Sequence, residues 1–479
     1  MEEKSDMGIT VKKEKDMPEW YTQVVEKAGL AEFYAPVKGF MVIKPYGYAV
    51  WEKIQNYFNQ RLKKIGVKNA YFPLLIPEKF FKKEAEHAKG FAPELAWIEQ
   101  KEEGERLAIR PTSETIMYDS YSRWIRSYRD LPLRINQWCN VLRWEVKQTK
   151  LFLRSREFLW QEGHCVYETE EECVKETLLY LDEYKKVAED LLAIPVMKGV
   201  KTEKERFAGA KNTYTVEALM PDGKALQMGT SHNLGQNFAK SFNISFLGRD
   251  EKKHIPWQNS WGITTRLIGA MVMVHGDDKG LVLPPKVAPV QIVIIPILFE
   301  KTKQQILKKC KELKTALSQK HEVELDDRED YTPGWKFNEW ELKGVPIRIE
   351  LGPRDLEKDQ AMLVRRDTGE KTAVKLSDMQ KQAQKLLEEI EMNLFSTAQK
   401  FLKQNTVEAD NWKGFQKAVK EKKLVKAPFC GEVECEDWIK DKTGGATSRL
   451  ILLDSEKPKA KCIHCDKEAE VFAYFSKSY

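Results

Sequence analysis

The sequence predicts a multidomain α/β protein, and three observations support that fold class. A chain of 479 residues is expected to form about two to four domains. A proline-rich stretch, PPKVAPV at 284–290, is typical of a linker. Beyond it, strand and helix patterns alternate, whereas the longer region before it carries paired strand patterns. We therefore expect a large first domain followed by a compact α/β domain.

Composition narrows the class of protein. The chain is 42% hydrophobic and 32% charged, with a net charge of +6 that permits a polyanionic partner without requiring one. The longest apolar run, near Pro289–Phe299, has about ten residues, whereas a bilayer span needs ~20. Residues 1–17 are charged and lack the apolar core of a secretory signal. We expect no membrane association, free or metal-bound cysteines, and a cytoplasmic location.

The first domain shows a few clear elements. Residues 18–30 predict a short helix between Pro18 and Gly29, and an apolar stripe over residues 51–65 predicts a second helix. The segment YFPLLIP at 71–77 predicts a strand, with Pro73 marking an edge, a bulge or a subunit junction. Residues 213–229 alternate around Pro-Asp-Gly and predict a hairpin.

The region beyond the linker predicts a central sheet with helices. The expected order is a strand at 291–298, a helix at 301–319, a further strand, a helix around Trp335–Lys343 and strands at 345–351, 361–367 and 372–376. A long helix then follows, from Ser377 to about Gln404.

The segment Val141–Cys165 is the most informative part of the chain. Arg143-x-Glu145 comes before a polar connection, and Arg154, Arg156, Glu157 and Phe158 come after it, with apolar residues on both sides. The pattern predicts two strands joined by a charged loop, with the arginines and the aromatic ring on adjacent strands facing a common pocket. Arginine guanidinium groups bind phosphates, and the ring of Phe158 can stack on a nucleobase. We therefore expect a binding pocket for a nucleoside triphosphate in this segment. The alternative, for any single arginine, is a solvated charge on an exposed hairpin.

Three further segments complete a pattern. They are RPTSE at 110–114, QMGTSHNLGQNFAK at 227–240 and SWGITTR at 260–266, which join REFLWQEGH at 156–164. Together these strings resemble the signature motifs of a class II aminoacyl-tRNA synthetase, and they are most similar to prolyl-tRNA synthetases of the archaeal/eukaryotic type. The resemblance covers essentially the whole chain from residue 18.

The resemblance implies an architecture. It predicts a flexible N-terminus at 1–17, an antiparallel-sheet catalytic domain at 18–285, an α/β anticodon-binding domain at 288–395 and a zinc-binding α/β module at 396–479. It also implies a homodimer, because the helix followed by Pro73 matches a dimerisation motif. The expected partners are L-proline, ATP with Mg²⁺, and tRNA(Pro).

The implied reaction is ATP-dependent formation of prolyl-adenylate, followed by prolyl transfer to the 3′-terminal adenosine of tRNA(Pro). Arg143 is the expected catalytic residue, holding the α-phosphate and the substrate carboxylate, and Phe158 and Arg266 would enclose adenine. Two interpretations of Glu217 stay open, a contact to ATP or Mg²⁺ and a solvated carboxylate on the predicted hairpin. The expected ATP-binding residues are Arg143, Glu145, Arg154, Phe158, Gln227, Thr230, Arg266 and Glu217.

The proline site is expected beside the ATP site. Thr112 and Glu114 would accept the two N–H groups of the secondary ammonium, and aromatic rings would form a slot for the pyrrolidine ring. His232 alone could equally be a core histidine. The expected proline-binding residues are Thr112, Glu114, Arg143, Trp160, Glu162, His164, Phe207, His232 and Trp261. A slot that reads shape alone discriminates weakly, so alanine and cysteine should be activated to some extent.

Two further sites are expected downstream. Lys336, Glu341, Arg348 and Arg354 are candidates for reading the guanines of the anticodon, with solvated helix-face charges as the alternative. Cys430 and Cys435 are spaced C-x4-C, and Cys462 and Cys465 are spaced C-x2-C. Two close pairs of this kind predict a structural tetrahedral Zn²⁺ site.

Two rival functions stay open from the sequence alone. One is a catalytically inactive synthetase paralogue that only binds RNA or a protein partner, and the retained Arg143, Arg154 and Arg266 argue against it. The other is a synthetase for threonine or serine. An amino-acid-dependent exchange assay separates these possibilities.

Overall fold

The computed structural model describes residues 8–85, 94–99 and 104–479. The helices of these residues are α1 (Met17–Lys27), α2 (Pro45–Lys64), α3 (Glu78–Ala85), α4 (Glu114–Trp124), α5 (Glu170–Lys186), α6 (Asn237–Ser241), α7 (Arg266–His275), α8 (Lys303–Leu317), α9 (Pro333–Leu342), α10 (Pro353–Glu357), α11 (Met379–Asn405), α12 (Trp412–Lys420) and α13 (Val433–Thr443). Among the described residues, no helix is both long enough and apolar enough to cross a membrane.

The strands of the first half are β1 (Ala31–Phe33), β2 (Met41–Ile43), β3 (Lys68–Asn69), β4 (Leu75–Pro77), β5 (Leu107–Ile109), β6 (Leu133–Leu142), β7 (Glu157–Tyr167), β8 (Met197–Val200), β9 (Asn212–Leu219), β10 (Ala225–Gly235), β11 (Phe246–Leu247), β12 (Lys253–His254) and β13 (Trp257–Thr264). Those of the second half are β14 (Ile292–Pro296), β15 (Val323–Leu325), β16 (Ile347–Leu351), β17 (Gln360–Arg365), β18 (Lys371–Lys375), β19 (Thr406–Glu408), β20 (Leu424–Phe429), β21 (Thr447–Leu452) and β22 (Val471–Ser476).

One large sheet organises the molecule. Its eleven strands, all among the described residues, run in the order β19-β20-β22-β21-β8-β9-β10-β13-β7-β6-β3. The pairings from β20 through to β6 are antiparallel. This agrees with the antiparallel core that the sequence predicts.

The two faces of this sheet differ because side chains alternate along each strand. On β7, Phe158, Trp160, Glu162 and His164 share one face, and Gly163 lies on the other. The second face packs against helices in a core that includes Trp51, Phe58, Tyr180 and Trp261. The first face is left free to form a site.

The second domain has the topology expected from its alternating pattern. Its sheet has the order β15-β14-β16-β17-β18, with β14 parallel to both β15 and β16. The predicted helices are present as α8, α9 and α11, and α10 is an additional short helix. Arg366 joins this domain to the first through a two-pronged ion pair with Asp277, at 2.7 and 2.6 Å.

The C-terminal segment shares its sheet with the first domain. Strands β19–β22 continue the large sheet, because β21 pairs with β8 at Ile451↔Val200. The expected module at 396–479 is therefore structurally continuous with the catalytic region, and its first ten residues belong to α11.

Several local expectations need correction. Pro73 precedes the short strand β4 and does not lie within a strand. Arg143, Glu145 and Arg154 lie in the connection between β6 and β7. That connection is not polar throughout, since Leu151, Phe152 and Leu153 are buried in it.

The N-terminal residues were expected to be flexible over 1–17. Residues 1–7 lie outside the described part of the chain. Lys13 donates through its ammonium to the carbonyl of Gly276 at 2.6 Å, and the backbone of Thr10 donates to Gln23. Residues 8–16 therefore contact the folded body.

The packing of Gly163 gives a stability prediction. A Cβ on Gly163 would lie 2.1 Å from the ring of Trp261, which is stacked on Tyr180 at 4.0 Å and has no room to withdraw. Gly163→Ala should lower the free energy of unfolding by ~1–3 kcal/mol, as overpacking does in tight cores. Urea unfolding of both proteins measures this difference.

The matched control is Gly334→Ala. Gly334 is exposed in α9, and a Cβ there would meet nothing within 4 Å. Equal unfolding free energies for Gly163→Ala and wild type would contradict the packing described.

Candidate functional site

A cavity of about 580 Å³ opens on the free face of the large sheet. It gathers segments that are far apart in the chain, including the connection β6–β7 and the strands β7, β10 and β13. The predicted site residues that line it are Thr112, Glu114, Arg143, Glu145, Arg154, Phe158, Trp160, Glu162, His164, Phe207, Gln227, Thr230, His232, Trp261 and Arg266.

Strand pairing explains why these residues meet. In the β7–β13 pair, Trp160 lies opposite Thr264, Glu162 opposite Gly262 and His164 opposite Ser260. In the β10–β13 pair, Gly262 lies opposite Thr230 and Ser260 opposite His232. Directly opposed residues share a face of an antiparallel pair. The face thus runs continuously from Phe158 at one end to His232 at the other.

The amino end of helix α4 presents a carboxylate to this cavity. Thr112 donates a hydrogen bond to Glu114, and both side chains are buried. A carboxylate at the first turn of a helix is stabilised by the helix dipole. The pair offers two oxygen acceptors that face the cavity.

Glu162 fixes the loop that carries this pair. Its carboxylate accepts hydrogen bonds from the Ser113 amide at 3.0 Å, from Gln137 at 3.1 Å and from the Ser113 hydroxyl. His164 Nε2 lies 3.1 Å from it, and His164 Nδ1 lies 3.0 Å from the Tyr118 hydroxyl. Glu162 therefore braces the loop, and its oxygens are already engaged.

The side chains of Glu162 and His164 shift each other's pKa. Burial disfavours the charge on both groups, but the hydrogen bond and attraction between them keep the pKa of Glu162 below its ordinary value. Burial likewise opposes the charge of His164, and the contact with Glu162, helped by the carboxylate of Glu114, raises its pKa above the ordinary value. The contact therefore favours the charged form of each partner.

The opposite end of the cavity is positively charged. The guanidinium of Arg143 lies over Phe158 at 5.3 Å and over Trp160 at 5.5 Å. Arg266 donates to the carbonyls of Leu153 and Gln227, each at 3.3 Å. Burial, together with repulsion from Arg143, lowers the pKa of Arg266 to about 10, so it stays charged at neutral pH. This end suits a polyphosphate.

The structure corrects the expected role of Trp261. Its indole lies on the opposite face of the sheet, where it stacks on Tyr180 and meets Phe58 edge-on at 6.3 Å. Its side chain therefore belongs to the core and cannot wall a proline slot. Sequence reasoning missed Ser260 and Gly262, which line the cavity on the same strand.

Glu217 also needs correction. Its side chain is buried, and its carboxylate forms ion pairs with Lys201 at 2.6 Å and with Arg449 at 3.1 Å. It is absent from the cavity lining. Because its oxygens are engaged by these cations, it contacts neither ATP nor Mg²⁺ here, and it is not a solvated hairpin carboxylate either.

The four anticodon candidates do not form one exposed group. Lys336 is buried and donates to the Asp326 carbonyl at 3.0 Å. Glu341 pairs with Lys279 at 2.9 Å, and Arg348 pairs with Glu350 at 2.8 Å. Arg354 lies on α10. Lys336 also lines a second cavity of this domain, so its place in an anticodon site stays a prediction.

A second cavity, of about 310 Å³, lies in the same domain. Phe299, Arg328 and Tyr331 line it, and Tyr331 stacks on Trp335 at 3.9 Å. Arg328 lies over both of these rings, at 4.9 and 5.4 Å. The spacing of an arginine, a tyrosine and a tryptophan before and within a predicted helix was the signal that sequence reasoning passed over.

The cysteine prediction can be examined directly. The Sγ atoms of Cys430, Cys435, Cys462 and Cys465 all lie within 4.8 Å of one another. Cys430 follows β20, Cys435 lies on α13, and the other two precede β22. Four convergent thiols from three segments fit a tetrahedral Zn²⁺ ion. His464, whose Nδ1 lies 3.2 Å from Cys435 Sγ, stacks on Trp438.

Tyr479 is a further cavity residue. Its ring lines the cavity, and its hydroxyl donates to Asp222 at 2.6 Å. The ammonium groups of Lys150 and Lys224 lie over the ring at 5.4 and 4.7 Å. The last residue of the chain thus forms part of the wall.

Comparison with protein families matches three consecutive regions. Residues 97–275 match the tRNA synthetase class II core domain (G, H, P, S and T), residues 291–386 match an anticodon binding domain, and residues 412–479 match the C-terminal domain of prolyl-tRNA synthetase.

Whole-chain relatives agree with these matches. A proline–tRNA ligase of Alkaliphilus oremlandii is 54% identical over 470 residues, covering 97% of each chain. Proline–tRNA ligase 2 of Clostridioides difficile is 50% identical over 482 residues, covering 100% of this chain and 99% of the relative. The crystal structure of prolyl-tRNA synthetase from Cryptosporidium parvum, complexed with halofuginone and AMPPNP, is 44% identical, with a TM-score of 0.94 and coverage of 99% and 98%.

His232, which is half-buried in the cavity wall, gives a prediction for the pH dependence of stability. Burial, with repulsion from His164, lowers its pKa to about 3, against ~6.5 in an unfolded chain. Between pH ~6.5 and 3, His232 is therefore protonated in the unfolded chain and neutral in the folded protein. The free energy of unfolding falls as the pH falls through this range. His232→Asn should remove a contribution of at most ~1.4 kcal/mol per pH unit. Urea unfolding at pH 7, 6 and 5 measures it.

His254→Asn serves as the control, since His254 is about half exposed at 46%. Parallel stability profiles for wild type and His232→Asn between pH 7 and 5 would refute the assignment.

Proposed function

Because the chain belongs to the proline–tRNA ligases, a family of class II aminoacyl-tRNA synthetases, we propose how its own residues carry the reaction. The enzyme is a ligase that activates proline with ATP and attaches the prolyl group to tRNA. We assign the acceptor as the 3′-terminal adenosine of tRNA(Pro).

The carrying observation is that the Thr112–Glu114 pair and the arginines Arg143 and Arg266 converge in one cavity. In the first step a carboxylate oxygen of proline attacks the α-phosphorus of ATP. A P–O bond forms to the carboxylate, and the bond to the pyrophosphate group breaks. The carboxylate is already a nucleophile, so no general base is needed. Catalysis then consists of positioning and of stabilising negative charge.

Arg143 is our candidate for the reacting centre. Its guanidinium lies over the rings of Phe158 and Trp160 and is attracted by the carboxylates of Glu145 and Glu114. The planar guanidinium group of Arg143 can donate hydrogen bonds to the α-phosphate and to the substrate carboxylate at the same time. Its N–H groups are held in position partly by the Pro111 carbonyl, at 3.4 Å from Nε.

The amino-acid slot is assigned to the end near α4. Thr112 and Glu114 accept the N–H groups of the secondary ammonium, and Glu162 with His164 braces them. Trp160, Phe207 and His232 wall the pyrrolidine ring, and the rings of Phe207 and His232 lie 4.7 Å apart with their planes tilted by 36°. Gly262, which lacks a side chain, forms the floor.

The ATP end is assigned to the remaining lining residues. Phe158 offers a ring for adenine, Arg154 and Arg266 offer charge to the phosphates, and Gln227 and Thr230 line the wall between them. Glu145 is a free carboxylate beside Arg143 and fits the Mg²⁺ that accompanies ATP. Bound Mg²⁺ would neutralise phosphate charge.

We propose that Cys430, Cys435, Cys462 and Cys465 hold one structural Zn²⁺. Bound zinc would tie the loop before β22 to α13 and β20, and so stabilise the C-terminal part of the large sheet. Four available thiolates make His464 unnecessary as a ligand.

A homodimer is proposed from the edge of the large sheet. Beyond its edge strand β3, Tyr71 is 72% exposed and Trp124 is 47% exposed, and the ring of Trp124 lies 5.7 Å from that of Phe72. Exposed aromatic residues next to a sheet edge are typical of a protein interface. We also infer a cytoplasmic location, where ATP and tRNA are both present.

For the anticodon we propose the second cavity, which Lys336 lines together with residues that the sequence prediction did not include. Its aromatic stack of Tyr331 and Trp335, with Arg328 above, offers a platform for unstacked bases, and Phe299 is exposed beside it. Arg348 and Arg354 would at most contact the RNA backbone.

Arg143→Ala tests the reacting centre. Loss of a preorganised donor typically costs ~10²–10³ in rate, so proline-dependent pyrophosphate exchange should fall by at least about a hundredfold. Arg123→Ala is the control, because Arg123 is a surface arginine paired only locally with Asp119. An exchange rate within about tenfold of wild type would show that Arg143 does not hold the transition state.

The zinc proposal predicts one Zn²⁺ per chain in protein purified without added metal. Cys462→Ser combined with Cys465→Ser should remove the metal and lower the melting temperature, since structural zinc supplies folding energy. Cys310→Ser, in the second domain, is the control. Full zinc content in the double variant would overturn the ligand set.

Trp335→Ala should weaken tRNA(Pro) aminoacylation and leave proline-dependent exchange unchanged, because only the former needs the anticodon. Base–aromatic stacking is worth ~1–3 kcal/mol, so kcat/KM for tRNA should fall about 5- to 150-fold. Trp412→Ala, in the C-terminal module, is the control. An unchanged kcat/KM for tRNA would exclude this platform.

A further inference from the structure

Three charged side chains meet where the C-terminal strands join the catalytic part of the sheet. Lys201, Glu217 and Arg449 are 6%, 1% and 6% exposed. The ammonium of Lys201 lies 2.6 Å from Glu217 Oε1 and also donates to the carbonyl of Arg449 at 2.8 Å. Nη2 of Arg449 lies 3.1 Å from Glu217 Oε2. The C-terminal module thus places one of its own arginines inside the catalytic sheet.

This cluster lies beside the ATP end of the cavity, on the same face of the sheet, because Glu217 is opposed to the cavity-lining Gln227. Glu217 on β9 is paired across the sheet with Gln227 on β10, and the register shifts between Gln227 and Gly229. The carbonyl of Gln227 accepts the hydrogen bond from Arg266 Nη1. On its other side, Arg449 Nη1 lies 4.0 Å from Glu205, which lines the cavity.

The charges of this cluster depend on one another. Burial opposes ionisation of Glu217, yet Lys201 and Arg449 keep its pKa below the ordinary value. Without Arg449, Lys201 would still neutralise Glu217, but Glu217 Oε2 would lose its hydrogen bond from Arg449, and the carboxylate would be held through Oε1 by Lys201 and Thr215. Glu217 is paired with Gln227 where the strand register shifts, so a change in its position reaches the irregular segment Gln227–Gly229.

We propose that Arg449 is a positioning residue for ATP. By holding Glu217 it fixes the bulged segment Gln227–Gly229, and through the Gln227 carbonyl it fixes Arg266 at the phosphate end of the cavity. Arg449 touches no substrate and acts through these residues. The inference rests on the proposed ATP site and gives the C-terminal module a part in nucleotide binding beyond structural support.

The experiment compares the KM for ATP with the KM for proline in pyrophosphate exchange by the full-length protein. The variants are Arg449→Met and Arg449→Lys. Thr202→Val is the matched control. Its hydroxyl makes buried contacts with Glu436 at 2.8 Å and Ser448 at 2.9 Å across the same junction, without touching Glu217.

Arg449→Met should raise the KM for ATP by about tenfold, within the ~5–150-fold range of energetic coupling between sites. The KM for proline should stay within about twofold of wild type. Arg449→Lys should recover part of the loss, because an ammonium can still pair with Glu217. Thr202→Val should lower the melting temperature and leave both KM values unchanged.

Other outcomes would overturn the inference. An unchanged KM for ATP in Arg449→Met would overturn it. Equal increases of the KM for ATP and the KM for proline in Arg449→Met, with the same increases in Thr202→Val, would also overturn it. If Arg449→Met does not fold, Arg449→Lys provides the test. A KM for ATP in Arg449→Lys equal to that of the wild type would refute the positioning role. Absence of proline-dependent exchange in the wild type would refute the proposed function instead.

Discussion

The carboxylate of Glu162 is the contact on which the amino-acid end of the site depends. It accepts hydrogen bonds from the backbone and side chain of Ser113, from Gln137 on β6 and from His164 on its own strand. These contacts tie the loop before α4 to the middle of the sheet. A buried carboxylate with every oxygen engaged is rigid, because each partner would be left unsatisfied by its movement. Glu114 can therefore stand ready for a cation without reorganising.

The same sheet connects this end to the nucleotide end and to the C-terminus. Alternation along β7 aligns Phe158, Trp160, Glu162 and His164 on one face, so one strand contributes to both substrate sites. The opposite face is filled by the stack of Trp261 and Tyr180, which keeps the strand flat against its helices. Because β21 pairs with β8, the cysteine cluster is mechanically part of this platform and not a separate appendage.

The sequence was sufficient for features whose chemistry is local. The arginines of the β6–β7 connection and the four cysteines were found from residue type and spacing, the Thr112-x-Glu114 pair came from the family resemblance, and the alternation beyond residue 290 predicted the second domain. Trp261 was misplaced because the register of β13 against β7 decides which of its alternating residues face the cavity. Glu217 was misread because its partner Arg449 lies 232 residues further along the chain. The hydrogen bond from Lys336 on α9 to Asp326, which belongs to another segment, could not be predicted from sequence.

The central claim is that Glu114 reads the secondary ammonium of proline, and amino-acid-dependent pyrophosphate exchange tests it most directly. Wild type and Glu114→Gln should be compared with proline, alanine, cysteine, threonine and serine. Wild type should prefer proline, with limited discrimination against alanine and cysteine, because each missing group in an apolar slot contributes only ~1–3 kcal/mol. Glu114→Gln should reduce kcat/KM for proline far more than for the primary amines. A wild-type preference for threonine or serine, or equal losses for all five amino acids in the variant, would contradict the account.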